Sequence, residues 1–593
     1  MRLSLYKTVI YLIAMVLLLT SFKIITPKED IIKLNYQNDE TPTYYQIIDM
    51  YKKLDSVSKN AKLIEYGLTD VGKPLHLFVI TDDADFNPKS IHRKGKTVIM
   101  INNGIHPGEP CGIDASLQFA NDILINKNNL NINLKNTVIC IIPVYNIGGE
   151  LNRSAYNRTA QIGPKECGFR GNAKNLDLNR DFVKCDSENA KSFTKIFQLW
   201  EPEIFLDTHT TNGSDHQYTI TLIPPQPCSM QKIHENFLRE EMLPALYKKM
   251  DTTDYTLIPY VIPFNRSPEN GITSYVQTGK YSSGYTQLFN CLGFMTENHV
   301  YKSYNDRVRS AYSFIVSLVE YSNSNSDKII SNKERVDKAI ENQKEFVLRY
   351  KLDTSKYSFI NFKGYKAGQF KSPLTGLMRF GYDNTKPWEE EIKYFDYYIP
   401  EISVQKPEYY VVPQAWSEVV LRLKMNNIEM KRLVKDTILT VEVYYIINYE
   451  DEKRQNNGHR VHRNVETSAE IQQIAYYEGD YIIKLNQKSN RYIVEMLEPR
   501  GEEAFFAWNF FDSCLETREY FSSYGFEKNA INYLEVHPEF KAEFNKKRKE
   551  DKEFAANHRA QLTYIYHNTE WNEVSYNRYP VARINEKLKL PIQ

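Results

Sequence analysis

Val98-Ile99-Met100-Ile101-Asn102-Asn103-Gly104-Ile105-His106-Pro107-Gly108-Glu109 is the stretch on which the reading of this chain turns. An apolar run of strand type stops at a glycine turn, and His106 and Glu109 follow, three residues apart. A helical pattern comes next, with Ala115, Leu117, Phe119, Ile123 and Leu124 on its apolar side. A His and a carboxylate at the mouth of a strand-to-helix turn can face one metal ion. Two imidazole nitrogens, one carboxylate and an open fourth position make a catalytic zinc site, so the pair needs a second His.

That His stands in Ile204-Phe205-Leu206-Asp207-Thr208-His209-Thr210-Thr211, where a second apolar strand delivers His209 into a small polar loop. A lone His after a strand is more often structural; here the surroundings say otherwise. Strand patterns at 62–66, 75–80, 97–101, 137–142 and 203–207 alternate with helical ones after Glu109, at 187–199, 230–250 and 306–321. Alternation of this kind predicts an α/β fold, a mixed and mostly parallel sheet with helices on both faces. Ligands of such sheets collect beyond the carboxyl ends of the strands, where His106 and His209 can meet.

The 593 residues exceed one core, and we divide them into a leader at 1–30, a catalytic domain at 31–325, a helical connector at 326–354 and a smaller β-rich C-terminal domain with a helical tail at 355–593. Thr8–Phe22 is an uncharged, mostly apolar run flanked by Arg2, Lys7 and Lys23, which reads as an export signal, cleaved or kept as an anchor. The protein is therefore expected outside the cytoplasm, as a periplasmic, envelope or secreted protein, with membrane contact only through that anchor. A net charge of +1 lacks the basic footprint of a nucleic-acid binder. Seven cysteines, at 111, 140, 167, 185, 228, 291 and 514, form no framework; Cys167 and Cys185 are the pair that could bridge a loop. Arg454–Arg463 reads as a solvated basic loop, and Phe540–Arg559 as a solvated helix. His216, His234 and His299 match no ligand spacing and read as surface or supporting residues.

Between the two ligand motifs lies Asn175-Leu176-Asp177-Leu178-Asn179-Arg180-Asp181-Phe182, preceded by Arg170. Two guanidiniums and an amide beside a metal can clamp a carboxylate, with a fork that Lys does not supply. Gly293-Phe294-Met295-Thr296-Glu297-Asn298 ends another apolar run on an acid, fit to take a proton from water and return it to a leaving amine. Tyr275 precedes it, though in a chain with 43 tyrosines that means little alone.

Taken in order, HxxE, Arg, Asp-x-Asn-Arg, His, Tyr and Glu resemble the zinc carboxypeptidases of the M14 metallopeptidase family, across roughly residues 40–325. The resemblance implies one zinc ion held by His106, Glu109 and His209, with Glu297 as general base and acid. It implies that Arg170 polarises the scissile carbonyl, that Asn179 and Arg180 hold the substrate's terminal carboxylate, that Tyr275 caps the substrate, and that Asp177 orients His106. The implied enzyme is a metallocarboxypeptidase that hydrolyses the C-terminal peptide bond of peptides or proteins with a zinc-bound water activated by Glu297. Cell-wall peptides or an acylated amino acid are the alternative substrates, and an inactive peptide- or glycan-binding protein is the remaining reading. Tyr145–Glu150 and Thr210-Thr211 depart from the pattern of the vertebrate digestive members and leave specificity open, and no acid is evident in the expected pocket floor at Tyr275–Tyr285. The second half resembles the extension of some bacterial envelope members.

Overall fold

The computed structural model describes residues 31–125, 130, 132–211 and 213–593; the expected leader at 1–30 lies outside them. Among the described residues no helix is long and apolar enough to cross a membrane.

Eight strands form the principal sheet, in the order Ala61–Leu68, Pro74–Ile80, Thr137–Ile142, Thr97–Asn102, Ile204–Thr211, Leu292–His299, Ile220–Ile223 and Leu257–Pro259. Its four central strands, from Thr137–Ile142 to Leu292–His299, are mutually parallel, and antiparallel pairings join them to the flanking strands on either side. Side-chain alternation explains why both faces are covered. Val98 and Met100 face a cluster with Phe193, Ile196 and Phe197 of the helix Glu188–Trp200. Ile99 and Ile101 face the opposite cluster, with Leu117 and Ala120 of the helix Cys111–Ile125 and with Phe314 and Leu318 of the helix Tyr304–Ser324. A strand buried on both faces reads as a continuous apolar run, as Thr97–Asn102 does. The expected mixed α/β sheet is thus observed.

The helix Ser326–Asn342 ends well before residue 354, and Glu345–Leu352 is a strand paired with Tyr398–Gln405. This corrects the expectation of a helical connector: Phe346 and Leu348 are buried while Glu345, Val347 and Arg349 are more exposed, a period of two that a short stretch shares with a helix edge. Beyond it lie the long hairpin Ser358–Lys371/Met378–Phe395 and a six-stranded sheet, ordered Lys431–Arg432, Tyr481–Lys484, Tyr409–Val412, Ala582–Ile584, Thr437–Asp451 and His462–Tyr476. Phe526, Phe544, Phe554, Leu562 and Ile565 gather the tail helices into a small cluster of their own, so Phe540–Arg559 is not simply a solvated helix.

The two halves share structure. Tyr394 and Phe395 pair in parallel with Ile272 and Thr273 of the first half. The apolar cluster on the Val98 face runs without a break into Tyr410, Val412, Ile483, Tyr492, Phe505 and Phe511. All seven cysteines are free, so Cys167 and Cys185 do not bridge.

Candidate functional site

The carboxyl ends of three adjacent parallel strands deliver the chemistry. After Asn102 the chain turns at Gly104, whose φ of +66° favours glycine, and Glu109 N–H closes the next turn on the His106 carbonyl at 2.8 Å. His209 and Glu297 are register partners on the parallel strands Ile204–Thr211 and Leu292–His299, so both side chains leave the sheet on one face. Gly112 lets the helix that follows Glu109 lie against the strand of His209: a Cβ there would stand 2.0 Å from Thr208 Oγ1.

His106, Glu109 and His209 each offer a ligand atom within 4.8 Å of the others, and all three are buried. Nδ1 of His106 lies 3.3 Å from Glu109 Oε1, and Nδ1 of His209 lies 3.0 Å from Oε2. The opposite ring nitrogens are held from behind. His106 Nε2 donates to Asp177 Oδ1 and His209 Nε2 to Asp207 Oδ2, each at 2.9 Å. A carboxylate behind each imidazole fixes the tautomer that turns a lone pair inward and raises ligand basicity. With a two-His, one-Glu donor set and both rings so oriented, these residues fit zinc.

Charge in the cluster is balanced from the protein side. Arg158 Nη1 donates to Glu109 Oε1 at 2.8 Å, and Thr210 N–H donates to Oε2 at 2.9 Å. Burial alone would raise the Glu109 pKa, but His106 and Arg158 outweigh it and hold the carboxyl well below its usual range. Burial would likewise lower His209, yet Asp207 and Glu109 raise it well above the ordinary histidine value. Glu297 goes the other way: burial pushes it up to about 7, against the pull of His209. Its Oε2 has no hydrogen-bond partner among the described residues.

Arg170 reaches the edge of this cluster. Its Nε and Nη2 grip Asp177 Oδ2 at 3.1 and 2.8 Å, leaving Nη1 3.3 Å from His106 Nδ1 and 3.5 Å from Glu109 Oε1. Asp177 also accepts the Asn179 N–H at 2.9 Å, which seats the turn Leu178–Arg180. Asn179 Oδ1 accepts from Ser282 N–H at 3.0 Å, and the Arg180 guanidinium lies 4.4 Å over the ring of Tyr281. Tyr275 stands next to Tyr281 and Tyr260, with ring centroids 6.3 and 6.4 Å away, and its hydroxyl accepts from Gln277 Nε2 at 2.7 Å. The nine residues singled out from sequence thus come together around the mouths of these strands.

Several contributors escaped the sequence reading. Asp207 was visible in principle, since residues two apart on a strand share a face. It is also an acid beside the expected pocket floor, where none was evident: Ser282 Oγ donates to it. Nothing local marks Arg158. The loop Arg454–Arg463 is not a free solvated loop, because His459 Nε2 meets Asp186 at 2.9 Å and Asn457 bonds to the backbone of Asp177. His462 is buried, held by Asp451 and Asp512 at 2.7 and 2.9 Å. His216, His234 and His299 are buried too; the rings of His216 and His299 lie 4.2 Å apart, outside the ligand group.

Comparison with known proteins agrees with the geometry. The family model for zinc carboxypeptidases matches residues 47–213. Carboxypeptidase 2 of Trichophyton tonsurans is 21% identical over 429 residues, covering 69% of this chain and 73% of the relative. Carboxypeptidase 2 of Trichophyton rubrum matches with the same identity and coverage. Among solved structures, carboxypeptidase A from Helicoverpa armigera aligns with a TM-score of 0.38 at 13% identity, over 51% of this chain and 76% of that one. Residues 47–213 thus match the zinc carboxypeptidase family, the M14 peptidases, and the ligand motifs and their assembly agree with that match.

Proposed function

We propose that the protein is a metallocarboxypeptidase that removes the C-terminal residue of peptides or proteins, with Glu297 as the proton-transfer group. The observation that carries this reading is the register pairing of Glu297 with His209, which sets a half-buried acid beside the ligand cluster. A zinc ion at His106, Glu109 and His209 would supply Lewis acidity and lower the pKa of a water.

The chain's own residues supply the rest. Glu297, with an unpaired oxygen and a pKa that the protein alone pushes up to about 7, is suited to take a proton from the attacking water and give it to the departing amine. Arg170, anchored by two bonds to Asp177, aims Nη1 at the ligand cluster, where only long contacts to His106 and Glu109 compete for it and it can meet the negative charge that develops on the scissile carbonyl oxygen. Arg180 and Asn179 offer a guanidinium and an amide to a free α-carboxylate, which restricts attack to the last bond, and Tyr275 covers the bound residue. The apolar run Thr8–Phe22 supports an exported enzyme that meets its substrates outside the cytoplasm.

The test measures single-residue release from peptides that end in a free carboxylate or in an amide, with and without a zinc chelator. The reading expects release from the free acids, its loss with chelator and recovery on adding zinc. It also expects near-complete loss of turnover in Glu297→Gln with zinc still bound. Undiminished activity in that variant would remove Glu297 from the mechanism; endoproteolytic products would remove the exopeptidase assignment.

A further inference from the structure

We infer that the C-terminal half is a working part of the substrate slot: Asn457 and Glu503 are positioning residues that fix its two opposed walls, the Asp177–Arg180 turn and the Tyr275–Tyr281 loop. The inference rests on the reading of Asn179, Arg180 and Tyr275 as the groups that receive a terminal residue.

The first wall is held by a hairpin tip. Between the strands Thr437–Asp451 and His462–Tyr476 the chain reverses at Asn457 and Gly458, both at positive φ, +54° and +89°. The Asn457 side chain projects onto Asp177 and makes a two-way clamp: Oδ1 accepts the Asp177 N–H at 2.7 Å, and Nδ2 donates to the Asp177 carbonyl at 3.1 Å. An amide that satisfies both backbone groups of one residue acts as a one-residue strand partner and leaves that residue little freedom. His459 fastens the same tip to Asp186, which Lys184 and Arg422 also hold. The residue so clamped is the one whose carboxylate aligns His106 and Arg170 and opens the turn bearing Asn179 and Arg180.

The second wall is held along its length. Ile272 and Thr273 lie in the shared sheet, Ser274 N–H donates to the Phe395 carbonyl at 2.9 Å, and Tyr398 OH donates to the Ser274 carbonyl at 2.6 Å. Beyond Tyr275, Glu503 Oε1 accepts from Thr278 Oγ1 and pairs with Lys280 Nζ, each at 2.8 Å, while Oε2 takes the Trp508 indole N–H at 3.0 Å. A buried carboxylate with three donors is a firm anchor, since leaving any of them unpaired is costly. The two walls meet where Arg180 lies over Tyr281, so their separation is set jointly by Asn457 and Glu503.

Groups that place a substrate without entering the chemistry alter KM more than kcat when removed. The experiment uses the full chain loaded with zinc, comparing wild type, Asn457→Ala and Glu503→Gln on an N-acylated dipeptide and on its C-terminal amide. For the free acid, each variant is expected to raise KM about tenfold, as one or two lost hydrogen bonds allow, with kcat within about threefold of wild type. Hydrogen exchange should quicken in 177–180 for Asn457→Ala and in 275–281 for Glu503→Gln, each confined to its own wall. Unchanged exchange in both walls, or unchanged KM in folded variants, would overturn the inference, as would a loss carried by kcat alone. A wild type indifferent to the carboxylate would sink the functional reading itself, whereas a wild type that prefers it, with variants that keep its KM, sinks only the role of Asn457 and Glu503.

Discussion

Replacing Asp207 by asparagine takes a full negative charge from behind His209 and leaves the side-chain volume nearly unchanged. Asp207 is fully buried and accepts from His209 Nε2 at 2.9 Å, from Ser282 Oγ and from Asn102 Nδ2 at 3.3 Å. The variant should fold, because the new amide can keep its oxygen toward His209 and Ser282. Its NH2 then points at Asn102, whose Oδ1 has no hydrogen-bond partner among the described residues and can accept after a flip of that amide. What changes is the hydrogen bond to His209, from charge-assisted to neutral, and hydrogen bonds to charged groups are worth about 1.5–3 kcal/mol against about 1 kcal/mol for neutral ones. Carboxylates placed behind metal-binding imidazoles typically contribute about 10–100-fold in metal affinity, roughly 1.4–2.8 kcal/mol, and the two scales overlap. We therefore expect Asp207→Asn to weaken zinc binding by about 10–100-fold. The assay is competition against a chromogenic chelator, paired with activity measured across zinc concentration: the activation midpoint should move by the same factor, and much of kcat should return at saturating zinc. A folded variant with wild-type zinc affinity would refute the idea that Asp207 tunes His209.

Three further outcomes follow from named contacts. Arg170→Ala should lower kcat by about 10²–10³ while leaving chelator-measured zinc affinity close to wild type, and retention of most of kcat would exclude Arg170 from charge stabilisation. Burial raises the Asp114 carboxyl to about 7 against an ordinary 3.8, despite donation from Thr41 Oγ1 and Tyr304 OH at 2.7 Å each. Between those two pH values the folded chain holds a proton there that the unfolded chain has lost, so stability falls as pH rises through that window. Asp114→Asn should flatten the decline in thermal midpoint from about pH 4 to about pH 7, and an unaltered profile would locate the dependence elsewhere. Gly112→Ala places a methyl 2.0 Å from Thr208 Oγ1 and 2.3 Å from its Cβ, so the strand of His209 must give way. A stability loss of about 1–3 kcal/mol is expected, with weaker zinc binding, and a melt indistinguishable from wild type would contradict the close approach.

The candidate ligands and the position of Glu297 beside them were legible because each sits in a local string that says where a strand ends. His106, His209 and Glu297 all follow apolar runs, and strands that are buried on both faces leave that mark plainly. Asp207 stood in the same string, but an acid in an apolar strand states no role until its partner imidazole is seen. The 345–352 segment misled because its two inward residues, Phe346 and Leu348, are too few to separate the strand period from the helical one. Arg454–Arg463 misled in a different way. Its polar composition is that of a solvated loop, yet His459, Asn457 and Arg463 spend their polar groups on Asp186, Asp177 and Glu452. Residue types do not record whether a hydrogen-bond donor faces water or a partner hundreds of positions away.

The short strand Ala582–Ile584 carries a temporal implication. It lies between Tyr409–Val412 and Thr437–Asp451, and in the six-stranded sheet it is the strand through which the hairpin bearing Asn457 joins the others. Ribosomal synthesis delivers this strand long after His106, His209 and Glu297 have left the exit tunnel. The hairpin whose tip clamps Asp177 therefore gains its place in this sheet from residues close to position 583. The candidate site thus draws its support from both early and late parts of the sequence, so its surroundings are complete only when nearly the whole chain is present.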